Sequence, residues 1–298
     1  FFLFQEVSSQ KYNKAFEIAE KYFDEGKYNK AYEHIGKTIK KLKRNRKGLA
    51  IVQAQMRSLK YLIALGRFNE FETLLAQVLK KKAYKGENHI LYAKAILDAS
   101  SLYLYYSDII SADNYLVLAE DILKEIGADK DGNDKINDSY FDAIFLENKA
   151  KILHAIGAYK SALEVIPTLK ELTKRRIISA ETFFNEASLR FEEHKLSTYQ
   201  LKNRKRKLAD ILLLEAEIQQ SIGNYKLAQE LIQDATIWIK VNLNAKDLAY
   251  LKAAYVKGLL MIDREESPKT IRKYLEKLLF SVDKELSPIH NLYLSIQE

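Results

Sequence analysis

The sequence predicts an all-α chain of antiparallel helix hairpins, and three observations predict it. Glycine and proline are scarce, ten and three in 298 residues. A β-rich or α/β chain of this length needs many tight turns, which those two residues form at low steric cost. Apolar residues recur at spacings of three and four, which places them on one helical face. A short turn motif recurs between such segments, the signature of an internal repeat.

Three copies of the motif are complete: Gly26-Lys27-Tyr28-Asn29-Lys30-Ala31, Gly157-Ala158-Tyr159-Lys160-Ser161-Ala162 and Gly223-Asn224-Tyr225-Lys226-Leu227-Ala228. Gly66-Arg67-Phe68 is a shorter copy with Phe71 at the Ala position, and Ser107-Asp108-Ile109-Ile110-Ser111-Ala112 is a weaker one without Gly. The Gly tolerates a left-handed helix end, and the small Ala lets the two helices approach closely. Around the first copy, Ala15, Ile18, Ala19 and Tyr22 lead in, and Tyr28, Ala31, Tyr32 and Ile35 lead out.

The elements follow in order. Helices are expected over 10–25 and 28–43, 48–65 and 68–82, 87–106 and 109–126, 138–156 and 159–176, 205–222 and 225–241, and 246–262 and 268–284. The corresponding hairpins are 10–43, 48–82, 87–126, 138–176, 205–241 and 246–284, with a closing helix over 288–298. Ser267-Pro268 and Ser287-Pro288 each place a capping Ser before Pro at the first helical position. Pro167 falls inside an expected helix, where it predicts a kink or an early stop. Residues 177–204 break the pattern. They read as a degenerate, irregular repeat or as a long helix running into 205–222, and the first is favoured.

The recurring turns in helical context resemble the tetratricopeptide repeat (TPR) family. The family's small first-helix residue falls on Ala19, Ser100, Ala150 and Ala216, with Leu59 departing, and its large aromatic on Tyr22 and Tyr103. The turns at 26, 66, 107, 157 and 223 stand 40, 41, 50 and 66 residues apart, against about 34 in the family. The resemblance, over residues 10–285, is therefore to a long-period variant. It implies a right-handed α–α superhelix, a single solenoid over 10–298 whose first helices line a concave groove for an extended peptide or partner helix.

The groove positions that the resemblance selects are Asn13, Phe16, Glu20 and Phe23, then Gln53, Met56 and Lys60. Lys94, Ser101 and Tyr105 follow, then Glu147, Lys151 and His154, and finally Asp210, Glu217 and Gln220. Lys60, Lys94 and Lys151 are expected to form a positive stripe for acidic groups. The family's chaperone-tail clamp is not reproduced, since Phe16 and Glu20 stand where that clamp has Lys and Asn. The resemblance implies a non-enzymatic scaffold or adaptor for a protein or peptide. The alternative is a sensory or regulatory segment of a larger signalling or transcription-regulating protein.

Composition narrows the chemistry. The chain has no Cys, which excludes disulfides, thiolate zinc sites, iron–sulfur clusters and Cys nucleophiles. No apolar run reaches the roughly 18 residues of a membrane-spanning helix. The five His are scattered, and no phosphate loop, nucleophile elbow or dinucleotide fingerprint occurs. No catalytic residue, metal site or cofactor is expected. Asp129-Lys130-Asp131-Gly132-Asn133-Asp134 begins like a calcium loop, but its sixth and twelfth positions are Asp134 and Tyr140 instead of Gly and Glu. It reads as a solvated turn.

The net charge is +8. Basic runs at 40–47, 80–82 and 174–176 fall at expected ends of second helices, where cations meet the helix dipole favourably; the fourth run is 202–207. No nucleic-acid motif accompanies them, which argues against a nucleic-acid partner. Tyr22, Tyr28, Phe68, Tyr103, Tyr159 and Tyr225 are expected in the core, one Tyr of 103–106 in the groove, and Trp238 against the next repeat. Residues 1–9, with Phe1-Phe2-Leu3-Phe4 before Val7-Ser8-Ser9, read as the remnant of a secretory signal or as an apolar N-terminal extension. The first reading implies a periplasmic or otherwise exported protein, the second a cytoplasmic one.

Overall fold

A computed structural model describes residues 14–45, 48–80, 89–127, 139–187, 191–243 and 247–285. Among these the chain is all-helical, with twelve helices and no strand. They are α1 (14–24), α2 (Tyr28–Arg44), α3 (Gly48–Ala64), α4 (Phe68–Leu79), α5 (His89–Tyr105), α6 (Ile109–Gly127), α7 (Ser139–Ala155), α8 (Tyr159–Ala187), α9 (Phe191–Ser221), α10 (Tyr225–Asn242), α11 (Leu248–Asp263) and α12 (Pro268–Glu285). The chain divides into two compact units, Phe1–Phe141 and Asp142–Glu298.

One turn joins every odd helix to the even helix after it. Gly26, Gly66, Gly157 and Gly223 all have φ between 69° and 89°. At the first, the Gly26 N–H donates to Phe23 O and the Lys27 N–H to Tyr22 O, at 2.9 and 2.8 Å. This pair of bonds satisfies two carbonyls that the helix end would otherwise leave without donors. The same two bonds recur at Gly66, Gly157 and Gly223, and at Ser107, whose φ is 65°. A sixth copy, unforeseen in the sequence, joins α11 to α12. Glu265 has φ 54° and donates to Ile262 O, while Glu266 donates to Met261 O.

The residue seven positions before each turn is where the paired helices meet. Ala19, Leu59, Ser100, Ala150 and Ala216 are all fully buried there. Ser100 uses the close approach, its Oγ donating to Ala112 O in α6 at 2.8 Å. The sixth copy has Gly258, where an added Cβ would lie 2.9 Å from Leu275 Cδ2 in α12.

In the first unit, Phe16, Ala19 and Phe23 of α1 pack with Tyr28, Ala31 and Ile35 of α2 and with Ala54 and Tyr61 of α3. Val52, Val78 and Ala95 carry the core on through α3, α4 and α5. In the second unit, Ala150 of α7, Ile166 and Leu169 of α8 and Ile211 and Ile218 of α9 form one cluster. Leu213, Ile232 and Val256 belong to the next, across α9, α10 and α11.

Residues 177–204 differ from the favoured expectation. Where described, they are the extended ends of α8 and α9 instead of an irregular repeat. These helices have 29 and 31 residues, against 17 in each of α2 and α3, and the added 12 and 14 account for the wide 66-residue spacing. Pro167 neither stops nor divides α8. Proline inside a helix costs about 3 kcal/mol. A buried stripe of Ala162, Ile166, Leu169, Thr173, Ile177 and Ala180 runs past it at spacings of three and four, and its burial offsets that cost.

The long hairpin also relocates two basic runs. Residues 174–176 lie inside α8, not at its end. The run 202–207 is half-buried among carboxylates: Arg206 Nε and Nη2 donate to Asp247 at 2.8 and 2.9 Å, Lys202 lies 3.1 Å from Asp247, and Lys205 pairs with Glu181. Asp247 also caps α11, accepting from the Ala249 N–H. Trp238 packs against the α9–α11 cluster, and its indole N–H donates to Lys205 O, back towards α9. Tyr28 and Tyr103 are buried as expected, whereas Phe68 and Tyr225 are more than a third exposed. Pro268 does open α12, with Ser267 Oγ accepting from the Thr270 N–H. The N-terminal extension, the calcium-like run and the closing helix lie outside the described residues.

Candidate partner-binding faces

In the first unit the candidate face is built from α1, α3 and α5. Its polar centre is Glu20. Tyr61, fully buried on α3, donates its hydroxyl to Glu20 Oε1 at 3.1 Å, while Lys60 Nζ and Arg57 Nη1 each lie 3.5 Å from the carboxylate. Burial opposes the charge on Glu20, but Lys60, Arg57 and Tyr61 outweigh it and hold its carboxyl below the ordinary range. Both cations also lie over aromatic rings, Lys60 at 3.8 Å from the Phe23 centroid and Arg57 at 4.8 Å from that of Phe16.

These contacts correct part of the sequence reading. Phe16 and Phe23 are buried core residues roofed by Arg57 and Lys60, not open groove anchors. Lys60 does not stand free as part of a positive stripe, because Glu20 engages it. Gln53, Met56, Lys94 and Ser101 are half-buried; Met56 packs on the Val52–Val78 cluster, and Ser101 donates to Leu97 O. Tyr105 is exposed, its ring centroid 6.4 Å from that of Phe23. It is the tyrosine of 103–106 that opens outward, since Tyr103 is buried and donates to Glu72. Asn13 lies outside the described residues.

In the second unit the equivalent face joins α7, α9 and α11, and it carries more charge. Glu147, 4% exposed, accepts from Lys151 at 2.6 Å and from Lys207 at 2.7 Å. Burial alone would raise its carboxyl, yet the two lysines lower it from 4.5 to about 2. Burial likewise works against Lys151, but Glu147 prevails and raises it. Asp210 accepts from Lys252 of α11 at 3.1 Å. Gln220 donates to Asp263 at 2.6 Å, and His154 Nε2 lies 3.1 Å from Ser221 Oγ. Burial lowers the pKa of His154, which favours the neutral ring.

Glu217 stands apart. Among the described residues its carboxylate has no hydrogen-bond or ion-pair partner, and burial pushes it up to about 7. Lys151 and Lys252 oppose that rise and Asp210 adds to it. The lysine at 151 is therefore held by Glu147, as Lys60 is by Glu20, and neither is an open cation.

Sequence reasoning missed Arg57, Tyr61, Lys207, Lys252 and Asp263. For Lys252 a signal existed. It stands thirteen residues before the Glu265 turn, as Lys94 stands before Ser107 and Asp210 before Gly223. Recognising the sixth turn would have selected it. Among the described residues no helix is long and apolar enough to cross a membrane. No protein-family model matches the chain, and no curated protein matches it.

Proposed function

We propose that the chain is a non-enzymatic scaffold of the TPR kind. Its hairpins stack as an α–α superhelix and hold a peptide or partner protein against the odd-numbered helices. The observation that carries this reading is the six-fold recurrence of one turn geometry with a buried residue seven positions before it. Hairpins that cannot bury their apolar faces alone bury them on their neighbours, and such arrays present long recognition surfaces. The concentration of Glu20, Arg57 and Lys60, and of Glu147, Lys151, Asp210, Glu217 and Lys252, on odd helices supports placing recognition there.

Selection of a displayed peptide library on the full chain tests the reading. Gln53→Ala with Tyr105→Ala removes side chains with little part in the core. The pair should weaken selected peptides about tenfold, a loss of roughly 1.4 kcal/mol, with the circular dichroism spectrum unchanged. Peptides that bind the double variant as well as wild type would refute the groove assignment. Lys60→Glu is a poorer test, because it places a second carboxylate beside Glu20.

A further inference from the structure

The uncompensated carboxylate of the second unit has a direction of use. We propose that the seam between α9 and α11 is a subsite for a cationic side chain of the bound segment, a guanidinium or ammonium group received by Glu217 and Asp210. The proposal rests on the peptide-binding reading and specifies what that peptide must bring.

Charge accounting carries it. The face holds three lysines, Lys151, Lys207 and Lys252, against four carboxylates, Glu147, Asp210, Glu217 and Asp263, and Glu147 draws Lys151 and Lys207 to itself. Asp210 and Glu217, seven residues apart on one face of α9, have Lys252 as their remaining near cation, and Lys252 is bonded to Asp210, while Lys151 acts on Glu217 only at a distance. Among the described residues no hydrogen bond or ion pair joins Lys252 to Glu217. Farther along the seam the imbalance repeats. Gln220 Nε2 is committed to Asp263, and its Oε1 is buried with no donor. The seam therefore has acceptors in surplus and few donors. Lys252 and Asp210 are 44% and 33% exposed, so a side chain arriving from solvent can reach this position.

The charged groups that act on Glu217 are Lys151 on α7, Asp210 on α9 and Lys252 on α11. With burial as the leading cause, they leave its carboxyl titrating near neutrality. A cation needs the ionised form. Its affinity should therefore rise as pH rises through about 7, by about tenfold between pH 6 and 8, and binding should release a proton.

Ligand-observed NMR on the full chain tests this with N-acetyl-arginine amide, and with N-acetyl-citrulline amide as its neutral isostere. The expected result is saturable binding of the arginine probe, about tenfold tighter at pH 8 than at pH 6, with no matching affinity for citrulline. Glu217→Gln should weaken the arginine probe about tenfold at pH 8 and flatten its pH dependence. The variant also removes a carboxyl that the fold disfavours, so its helix content should be kept. Equal binding of the two probes, no saturable binding, or a wild-type affinity unchanged from pH 6 to 8 would overturn the subsite. Library peptides whose binding ignores both pH and Glu217→Gln would overturn the subsite and leave the groove reading intact. Binding of the arginine probe with no peptide selected would support the subsite and sink the groove reading.

Discussion

Replacing Glu147 by Gln keeps the side-chain volume and removes the charge that ties α7 to α9. In the folded chain the carboxyl is lowered from 4.5 to about 2, because Lys151 and Lys207 overcome a burial that by itself would raise it. A displacement of that size corresponds to about 3 kcal/mol of stability at neutral pH. The unfolded chain protonates this group near pH 4.5 and the folded chain only near 2. The contribution is thus complete above the unfolded value and is lost as pH falls towards the folded one. Lys151 and Lys207 are each about two-fifths exposed and can turn to water in the variant, so a loss of about 2–3 kcal/mol is expected. Trp238 is the chain's one tryptophan and lies in α10, so its fluorescence reports unfolding of the second unit in urea. Wild type and variant should differ at pH 7, draw together as pH falls below about 5, and meet only near pH 2. A difference at pH 7 below about 1 kcal/mol, the range of a surface ion pair, would refute the reasoning. So would one that stays constant down to pH 3.

Two further substitutions probe other joints. Asp247→Ala removes the α11 cap and strands Arg206 and Lys202, at an expected cost of about 3–5 kcal/mol. Its carboxyl is held low because Arg206, the Ala249 N–H and Lys202 outweigh burial, so the gap between wild type and variant should shrink in acid. A change in urea midpoint within error would count against this pairing. Gly258→Ala presses a methyl to 2.9 Å from Leu275 Cδ2 at the α11–α12 crossing. Overpacking of about 1–3 kcal/mol is set against about 1 kcal/mol that Ala gains over Gly in a helix, so a net loss of up to about 2 kcal/mol is expected, read as a lowered Tm. A variant as stable as wild type would mean that the crossing relaxes freely.

What could be read in the sequence divides along a physical line. Four hairpin turns were legible because a left-handed helix end favours glycine, and that requirement is local. Ser107 and Glu265 adopt the same conformation at a cost of about 1–2 kcal/mol, and tertiary packing holds them there. Ser107 kept enough of the motif to be found. Glu265 did not, and with it went Gly258 and Lys252. The lengths of α8 and α9 were hidden for a related reason. Pro167 is a strong local stop signal, and only the stripe continuing through Thr173 and Ile177 overrides it. The candidate face was the least legible part. Whether a lysine is open or held depends on partners 40 residues away for Lys60 and 60 away for Lys207, and local spacing carries no such information.

Those distant pairs also bear on how a repeat protein keeps its register. The buried layers here are largely Ala, Leu and Ile, and an apolar stripe packs nearly as well after a slip of one helical turn. Ion pairs do not tolerate such a slip. Glu147 with Lys207 fastens α7 to α9, Glu215 with Lys170 fastens α8 to α9, and Asp210 with Lys252 fastens α9 to α11. Asp247, with no exposed side-chain surface, locks the start of α11 to Lys202 and Arg206 of α9. A one-turn shift would leave a buried carboxylate without its partner, which costs more than the apolar contacts could recover. On this view the charged residues of the second unit have two uses that the pairing itself separates. Carboxylates engaged by lysine or arginine set the order of the helices. Glu217, which sits among them without a hydrogen-bond or ion-pair partner among the described residues, is free to take the ligand cation proposed above.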